Sequence, residues 1–390
     1  MKKLMIGITA PGSVVLIVGQ MKWFKAQGYE THLMCPSDKR VSAYCKNEGC
    51  EHIEVKIERD IHLWADLKSL WSIYKAIRKI KPDIVNVGTP KMGLLGMVAA
   101  KLSGVKRRIY TCRGFRFEHE KGLKRQILVW MERIAGWCAQ DIICISPSVR
   151  DIAVKNKVFK LKKCVVIHKG SSNGIDLNQF SPQAIEKNQS EQLRKALNPE
   201  NGFLFGFVSR LVDRKGIKEM YTAFHKINKA YPATKLVIVG AIEWEQISDK
   251  MLVEDFNNHP SIIMTGSQKD VPLYLSIIDV FLLPSWWEGF GNVVVQAAAM
   301  GVAVISTTGT GTKDAVCDGF NGILVPIKDS EALYEAMKEL MLDSKKRENL
   351  GKNGIAWAKN FSNEVIWKGI EQLYKGDELL IQWPIKKSRI

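Results

Sequence analysis

The chain has 390 residues, 46% of them hydrophobic, which is enough for a large core and makes two domains the expectation. Its formal charge of +17 calls for an anionic partner: nucleic acid, an anionic membrane face or a phosphorylated substrate. No repeat or low-complexity block supports disorder, the apolar run Leu4 to Ile8 is too brief for a secretory leader, and no run reaches the roughly 18 apolar residues of a membrane span.

Strands are expected at Leu4–Thr9, Thr31–Cys35, Ile53–Ile57, Ile84–Val87, Arg108–Cys112, Ile142–Ser146 and Cys164–His168. Helical periodicity fills the gaps, as at Leu63–Ile80 and Gly122–Ala139. Continuous apolar strands separated by helices specify a parallel sheet covered on both faces. The polar stretch Ser181–Asn201 reads as a linker holding a short helix. The pattern then restarts, with strands at Phe203–Val208, Lys235–Val239, Ile262–Thr265, Val280–Leu283, Val302–Ser306 and Gly322–Val325, and helices that include Val293–Met300 and Ala332–Leu342. The expected architecture is therefore α/β, with two doubly wound, Rossmann-like domains (1–180 and 202–362) joined by the linker 181–201. Open parallel sheets bind ligands beyond the carboxyl ends of their strands, so two facing sheets would share one cleft. The segment Asn363–Leu380 is expected to be a helix crossing back to the first domain, ended before Pro384 in a solvated tail. Eight cysteines without C-x-x-C spacing are expected as reduced core residues.

Two segments carry chemistry. In Pro284-Ser285-Trp286-Trp287-Glu288-Gly289-Phe290-Gly291-Asn292-Val293-Val294-Val295-Gln296-Ala297, a buried strand leads through a loop with a carboxylate and two glycines into a helix. The glycines admit close approach, the helix start offers free N–H groups to an anion, and Glu288 can accept hydroxyl protons from a sugar. The competing reading is an ordinary turn in which Glu288 is a solvated charge. In Gly206-Phe207-Val208-Ser209-Arg210-Leu211-Val212-Asp213-Arg214-Lys215-Gly216, Arg210 and Lys215 leave a strand end and can converge on a diphosphate, or else form a basic surface turn.

Together these segments resemble glycosyltransferase family 4, which has the two-domain GT-B fold and retains anomeric configuration. Arg210 and Lys215 match its R-x(4–5)-K pair, and Glu288 to Gln296 has the spacing of its E-x7-E motif. Gly301-Val302-Ala303-Val304-Ile305 and Gly319-Phe320-Asn321-Gly322 also look like the family, and Gly170-Ser171-Ser172-Asn173-Gly174-Ile175-Asp176 is similar to its interdomain hinge entry. The resemblance implies that Arg210 and Lys215 hold a donor diphosphate and that Glu288 bonds the donor sugar. Phe290, Gly291 and Asn292 would support sugar and diphosphate, and Gln296 would meet the ribose. Gly240, Thr265 and Gly266 would line the base and ribose, and Gly12 would admit phosphate or acceptor.

Two departures stand out. The family's second glutamate is Gln296, which bonds ribose without charge assistance. In Thr111-Cys112-Arg113-Gly114-Phe115-Arg116-Phe117-Glu118, Arg113 sits where relatives often carry a histidine linked to the reacting sugar or acceptor. Arg113 is read as a catalytic candidate that binds acceptor phosphate or helps the leaving diphosphate, with a plain surface cation as the alternative. Arg116, Glu118 and His119 are acceptor-side candidates. No D-x-D pair follows a strand, so neither a metal nor a bound cofactor is expected.

The expected donor is a nucleotide sugar, most commonly UDP-linked in polysaccharide pathways. The expected acceptor is a lipid-diphosphate-linked saccharide in bacterial surface polysaccharide assembly. Lys121, Lys124, Arg125 and Arg133 lie among Leu123, Ile127, Leu128, Trp130, Met131, Ile134 and Trp137, with Lys155, Lys157, Lys160, Lys162 and Lys163 beyond. That helix either docks on an anionic membrane or turns its apolar face to the core. The first reading makes the protein cytoplasmic and peripheral at the inner face of the plasma membrane. Rival functions are a nucleotide-sugar 2-epimerase, a degenerate sugar-binding subunit and a nucleic-acid binder, the last without any supporting motif.

Overall fold

The structure, a computed structural model, describes residues 1–57 and 62–377. The sequence's expected tail, and the expected closing helix beyond 377, lie outside the described residues. The chain forms two compact units, one of Met1–Gly174 together with the chain from Asn363, the other of Ile175–Ser362.

The first unit runs β1 (Lys2–Gly7), α1 (Gln20–Ala26), β2 (Tyr29–Cys35), α2 (Lys39–Glu48), β3 (Glu51–Glu54), α3 (Leu63–Ile80), β4 (Ile84–Gly88), α4 (Pro90–Leu102), β5 (Arg107–Cys112), α5 (Gly122–Cys138), β6 (Asp141–Cys144), α6 (Pro147–Lys155) and β7 (Cys164–Val165). All seven strands are parallel, in the order β3-β2-β1-β4-β5-β6-β7. Side chains alternate between two cores, as a period of two requires. Met5, Val85, Val87 and Tyr110 pack under α3, α4 and α5, whereas Leu4, Ile6, Ile84 and Ile109 pack under α1 and α2. The third strand lies earlier than Ile53–Ile57, at a partly exposed sheet edge, and the seventh is shorter than Cys164–His168 because the chain turns at His168, φ 51°.

The second unit runs α7 (Lys187–Leu197), β8 (Leu204–Val208), α8 (Ile217–Ala230), β9 (Lys235–Val239), α9 (Lys250–Asn258), β10 (Ile262–Gly266), α10 (Val271–Leu275), β11 (Val280–Leu283), α11 (Asn292–Ala299), β12 (Ala303–Thr307), α12 (Thr312–Ala315), β13 (Gly322–Val325), α13 (Ser330–Leu342) and α14 (Ser344–Ala358). Its strands are parallel in the order β10-β9-β8-β11-β12-β13. The segment 181–201 is not a linker but part of this unit. Arg194 of α7 bonds Asp279 Oδ2 at 2.9 Å and the Ile277 carbonyl at 2.6 Å, which pins the polar helix beside β11.

The chain returns to the first unit at α15 (Asn363–Lys375). Trp367 donates to Asn173 at 2.8 Å, Tyr374 accepts from Asn86 at 2.7 Å, and Ile366, Ile370 and Leu373 join the core beside α1 and α2. All eight cysteines are free, five of them buried. Each sheet reverses its strand order once, between β1 and β4 and between β8 and β11. Such switch points open a crevice at the carboxyl ends of the two strands, where ligands bind in open α/β sheets.

Candidate functional site

In the second unit, the two loops at the switch point are the two singled out by sequence. The loop after β8 ends in a short 3-10 turn, Asp213–Lys215, closed by Gly216 at φ 69°. A Cβ there would collide with the Pro284 carbonyl, so glycine is required both for the left-handed backbone and for the contact between the loops. Trp286 N donates to the Arg214 carbonyl at 2.8 Å and Glu288 N to the Thr310 carbonyl at 2.8 Å. These bonds fix the carboxylate against the basic turn. Glu288 meets the Lys215 ammonium directly, Arg214 at 3.5 Å and the Ser285 hydroxyl at 3.0 Å. Burial would raise the Glu288 carboxyl, but Lys215 and then Arg214 hold it below the usual carboxylate range. Burial also pushes the Lys215 ammonium down, against the attraction of Glu288. The result is an ionised cluster, buried at Lys215 and half-buried at Glu288 and Arg214, with one cation in excess. Arg210, more exposed, pairs with Glu243 at 2.6 Å while acting on Lys215 through space.

The first unit presents a different arrangement at its own carboxyl edge. Arg113 follows β5 and its guanidinium lies on Gly88, the last residue of β4, so closely that a Cβ at Gly88 would collide with Nη1. Nε and Nη1 are shut off from solvent and make no hydrogen bond. Burial lowers the Arg113 pKa to about 10. Behind it, Thr111 donates to Asn86 at 2.8 Å, and Asn86 to Tyr374. Further down β5, Tyr110 donates to Glu132 of α5 at 2.9 Å, and burial raises that carboxyl to about 7.

Residues 12–179 match the sequence profile described as Glycosyltransferase Family 4, and residues 188–357 the one described as Glycosyl transferases group 1. The capsular polysaccharide biosynthesis glycosyltransferase CapM of Staphylococcus aureus is 36% identical over 368 residues, covering 94% of this chain and 95% of that one. The chain belongs to glycosyltransferase family 4. A UDP-Gal:alpha-D-GlcNAc-diphosphoundecaprenol alpha-1,3-galactosyltransferase of Escherichia coli is 30% identical over 312 residues, 79% of each chain. Among solved structures, Anabaena HepE in complex with UDP and glucose superposes with a TM-score of 0.81 at 18% identity, over 96% of this chain and 100% of that one. Likenesses of this kind fix the fold of this glycosyltransferase as GT-B.

The remaining predicted residues of this family 4 enzyme fall into two sets. Phe290, Gly291 and Asn292 lead from Glu288 into α11, where the Gly291 amide meets the Gly311 carbonyl at 3.3 Å, Phe290 packs on Phe361 and Gln296 lies half-buried one turn on. Gly240 donates to the Gly266 carbonyl at 2.8 Å, and Thr265 to the Ile238 carbonyl at 3.2 Å, at the ends of β9 and β10. In the first unit, Gly12 lies in the turn Pro11–Leu16, where a Cβ would meet only Arg40 at an ordinary distance. Arg116 and His119 are exposed and Glu118 is half-buried in a single turn anchored by the buried Phe117. Sequence reasoning passed over Arg214, which neighbours Lys215 but has no spacing of its own to mark it. It also missed Ser285, whose i, i+3 relation to Glu288 was readable. Trp286 donates to Glu219 of α8 at 3.1 Å, which ties its ring into the second unit.

The cluster Glu30, His32 and Glu51 has metal-ligating proximity, but it sits at the amino ends of β2 and β3, the edge opposite the ligand crevice. The aromatic stripe of α5 is not core. Leu123, Ile127, Trp130, Ile134 and Trp137 recur at 4, 3, 4 and 3 residues and are all exposed, Trp130 by 61% and Trp137 by 68%. The buried face is Leu128, Val129, Glu132 and Ala135. Lys101 lies over Trp137, Arg133 over Trp130 at 5.3 Å, and α3, next but one across α4, exposes Trp64 and Trp71 as well. No described helix is long and apolar enough to cross a membrane.

Proposed function

We propose that this glycosyltransferase moves a hexosyl or N-acetylhexosaminyl group from a UDP-sugar to a saccharide carried on a lipid diphosphate, with retention and without metal or cofactor. The observation that carries the reading is the Lys215–Glu288–Arg214 cluster, built where the second sheet switches direction. A diphosphate arriving there meets Lys215, with Arg214 and Arg210 free to turn to it, and Glu288 remains to bond the donor sugar. The Escherichia coli relative acts, by its name, with UDP-Gal on a diphosphoundecaprenol-linked sugar, and a Campylobacter jejuni relative acts on a diphospho-undecaprenol-linked one. HepE binds UDP.

In the transfer, the bond from the sugar's anomeric carbon to the diphosphate oxygen breaks and one to the acceptor hydroxyl oxygen forms on the same face. The hydroxyl proton passes to the leaving diphosphate oxygen. Lys215 and the arginines stabilise the charge on that oxygen, which is the task given to a metal elsewhere. The exposed aromatic and basic face of α5 supports work at an anionic membrane, on the cytoplasmic inner face of the plasma membrane.

The test is a panel of nucleotide sugars with and without a polyprenyl-diphosphate saccharide, with product linkage read by NMR. UDP release from one donor, stimulated by the acceptor and giving the donor's anomeric configuration, is expected. Turnover without acceptor to a 2-epimer, or none with any donor, would reject it.

A further inference from the structure

We propose that Arg113 anchors a diphosphate subsite at the carboxyl edge of the first sheet. The inference rests on the glycosyltransferase reading above and gives the first unit a diphosphate site built from its own residues.

An arginine stays ionised in proteins, so one that is half-buried with two of its three nitrogens shut off from water and unbonded is a standing cost. Arg113 has Nε and Nη1 closed off and unbonded. The groups that act on it electrostatically are Tyr110, Cys112 and Tyr374, all held protonated by their own burial. None is a counter-ion at neutral pH. A donor left without an acceptor at the ligand edge of a sheet calls for one, and a bound anion is an acceptor that fits.

Arg113 leaves β5 and lies across the end of β4, next to the switch between β1 and β4. Gly88 is the residue that lets it lie there. α4, thirteen residues long, starts two residues beyond Gly88 without a side-chain cap from Thr89, so its positive end lies at the same edge. The Thr9 and Thr89 hydroxyls, 2.6 Å apart, bridge the ends of β1 and β4 there. Thr9 Oγ1 also accepts from Met92 N of α4 at 3.0 Å, which leaves the guanidinium and one hydroxyl proton of the threonine pair as donors suited to phosphate oxygens, with the positive end of α4 beside them. The reaction has two diphosphates, one in the donor and one in the acceptor, and either meets this chemistry.

The test uses the full chain with Arg113→Met and Arg113→Lys. Without ligand, Arg113→Met is expected to melt no lower than the wild type, because it removes an uncompensated charge and keeps the volume. Where the subsite takes the acceptor's diphosphate, inorganic pyrophosphate in saturating UDP, which occupies the donor site, should raise the wild-type Tm and leave that of Arg113→Met unmoved. In kinetics, KM for a lipid-diphosphate saccharide should rise roughly tenfold or more in both variants, while transfer to the same saccharide as an alkyl glycoside stays unchanged. That outcome assigns the subsite to the acceptor. Weaker UDP binding with an unchanged acceptor KM assigns it to the donor. Gly88→Ala, with Arg113 intact, should reproduce whichever defect appears. A lower Tm for Arg113→Met without ligand, or equal losses on both acceptors with UDP binding unchanged, would overturn the subsite. A wild type that transfers to no acceptor would sink the functional reading alone, since the pyrophosphate shift is read without turnover.

Discussion

Lys215 and Glu288 in the second unit, and Arg113 and Glu132 in the first, are cations and carboxyls held close to a sheet, and they are treated in opposite ways. In the second unit Lys215 and Glu288 are partners, and the carboxyl is held ionised by Lys215 and Arg214. In the first, Arg113 Nε and Nη1 have no partner among the described residues, and Glu132, on the helix packed beside the same strand, is bonded by the neutral Tyr110. A paired cluster is preorganised and loses stability when either partner goes, whereas an isolated charge gains nothing from the fold and awaits a ligand. The comparison separates a site assembled in advance from one completed by what binds.

The largest effect should come from breaking the pair. Glu288→Ala leaves Lys215 buried with no carboxylate, which should cost about 3 kcal/mol of stability in urea unfolding. It should also lower kcat/KM by on the order of 10²–10³. The double change Lys215→Met with Glu288→Gln removes both charges and should recover most of the stability while transfer stays lost. Activity that returns with stability would make the cluster structural, and the contrast between the units would fail.

Glu132 gives the next test, by pH. Its carboxyl titrates at about 7 in the fold against 4.5 when free, so between those values the native state binds more protons than the unfolded one. Stability therefore falls as pH rises from about 5 toward 7, and the penalty is complete above that. Glu132→Gln copies the protonated form. It should match the wild type in stability below about pH 4 and exceed it at pH 8, by about 3 kcal/mol at most. Equal Tm values at both pH values would show that the first unit compensates this carboxyl after all.

Much of this was legible in the chain. The apolar runs at Phe203–Val208 and Val280–Leu283 placed two strands within a residue, and the loops after them contained Lys215 and Glu288. Periodicity reads burial well where strands are buried on both faces. It fails where polarity and packing part company: α7 looks like a linker because nothing in its composition announces that Arg194 reaches Asp279. The partner of a charge is likewise a tertiary fact. Sequence ranked Arg210 beside Lys215, yet Arg210 pairs with Glu243 and Arg214 is the residue on Glu288. The unpaired state of Arg113 depends on Gly88, twenty-five positions away in the chain, and no local pattern links the two.

The smallest effect concerns the outer face of the first unit, where the sequence left two readings of α5 and the structure exposes the stripe. An apolar face of this kind on a helix set among lysines and arginines has a free-energy reason to leave water for a lipid interface, and the basic residues set which lipid. Each tryptophan should contribute roughly tenfold in partitioning, and each basic residue near the surface about 1 kcal/mol on anionic lipid. Trp130→Ser with Trp137→Ser should thus weaken flotation with phosphatidylglycerol vesicles at any salt concentration, while Tm holds because neither ring is part of the core. Lys157→Glu with Lys160→Glu should weaken it only at low salt, where the charges are unscreened. Binding that survives both pairs of changes would move the contact away from α5, and no binding at low salt would leave the stripe for a protein partner.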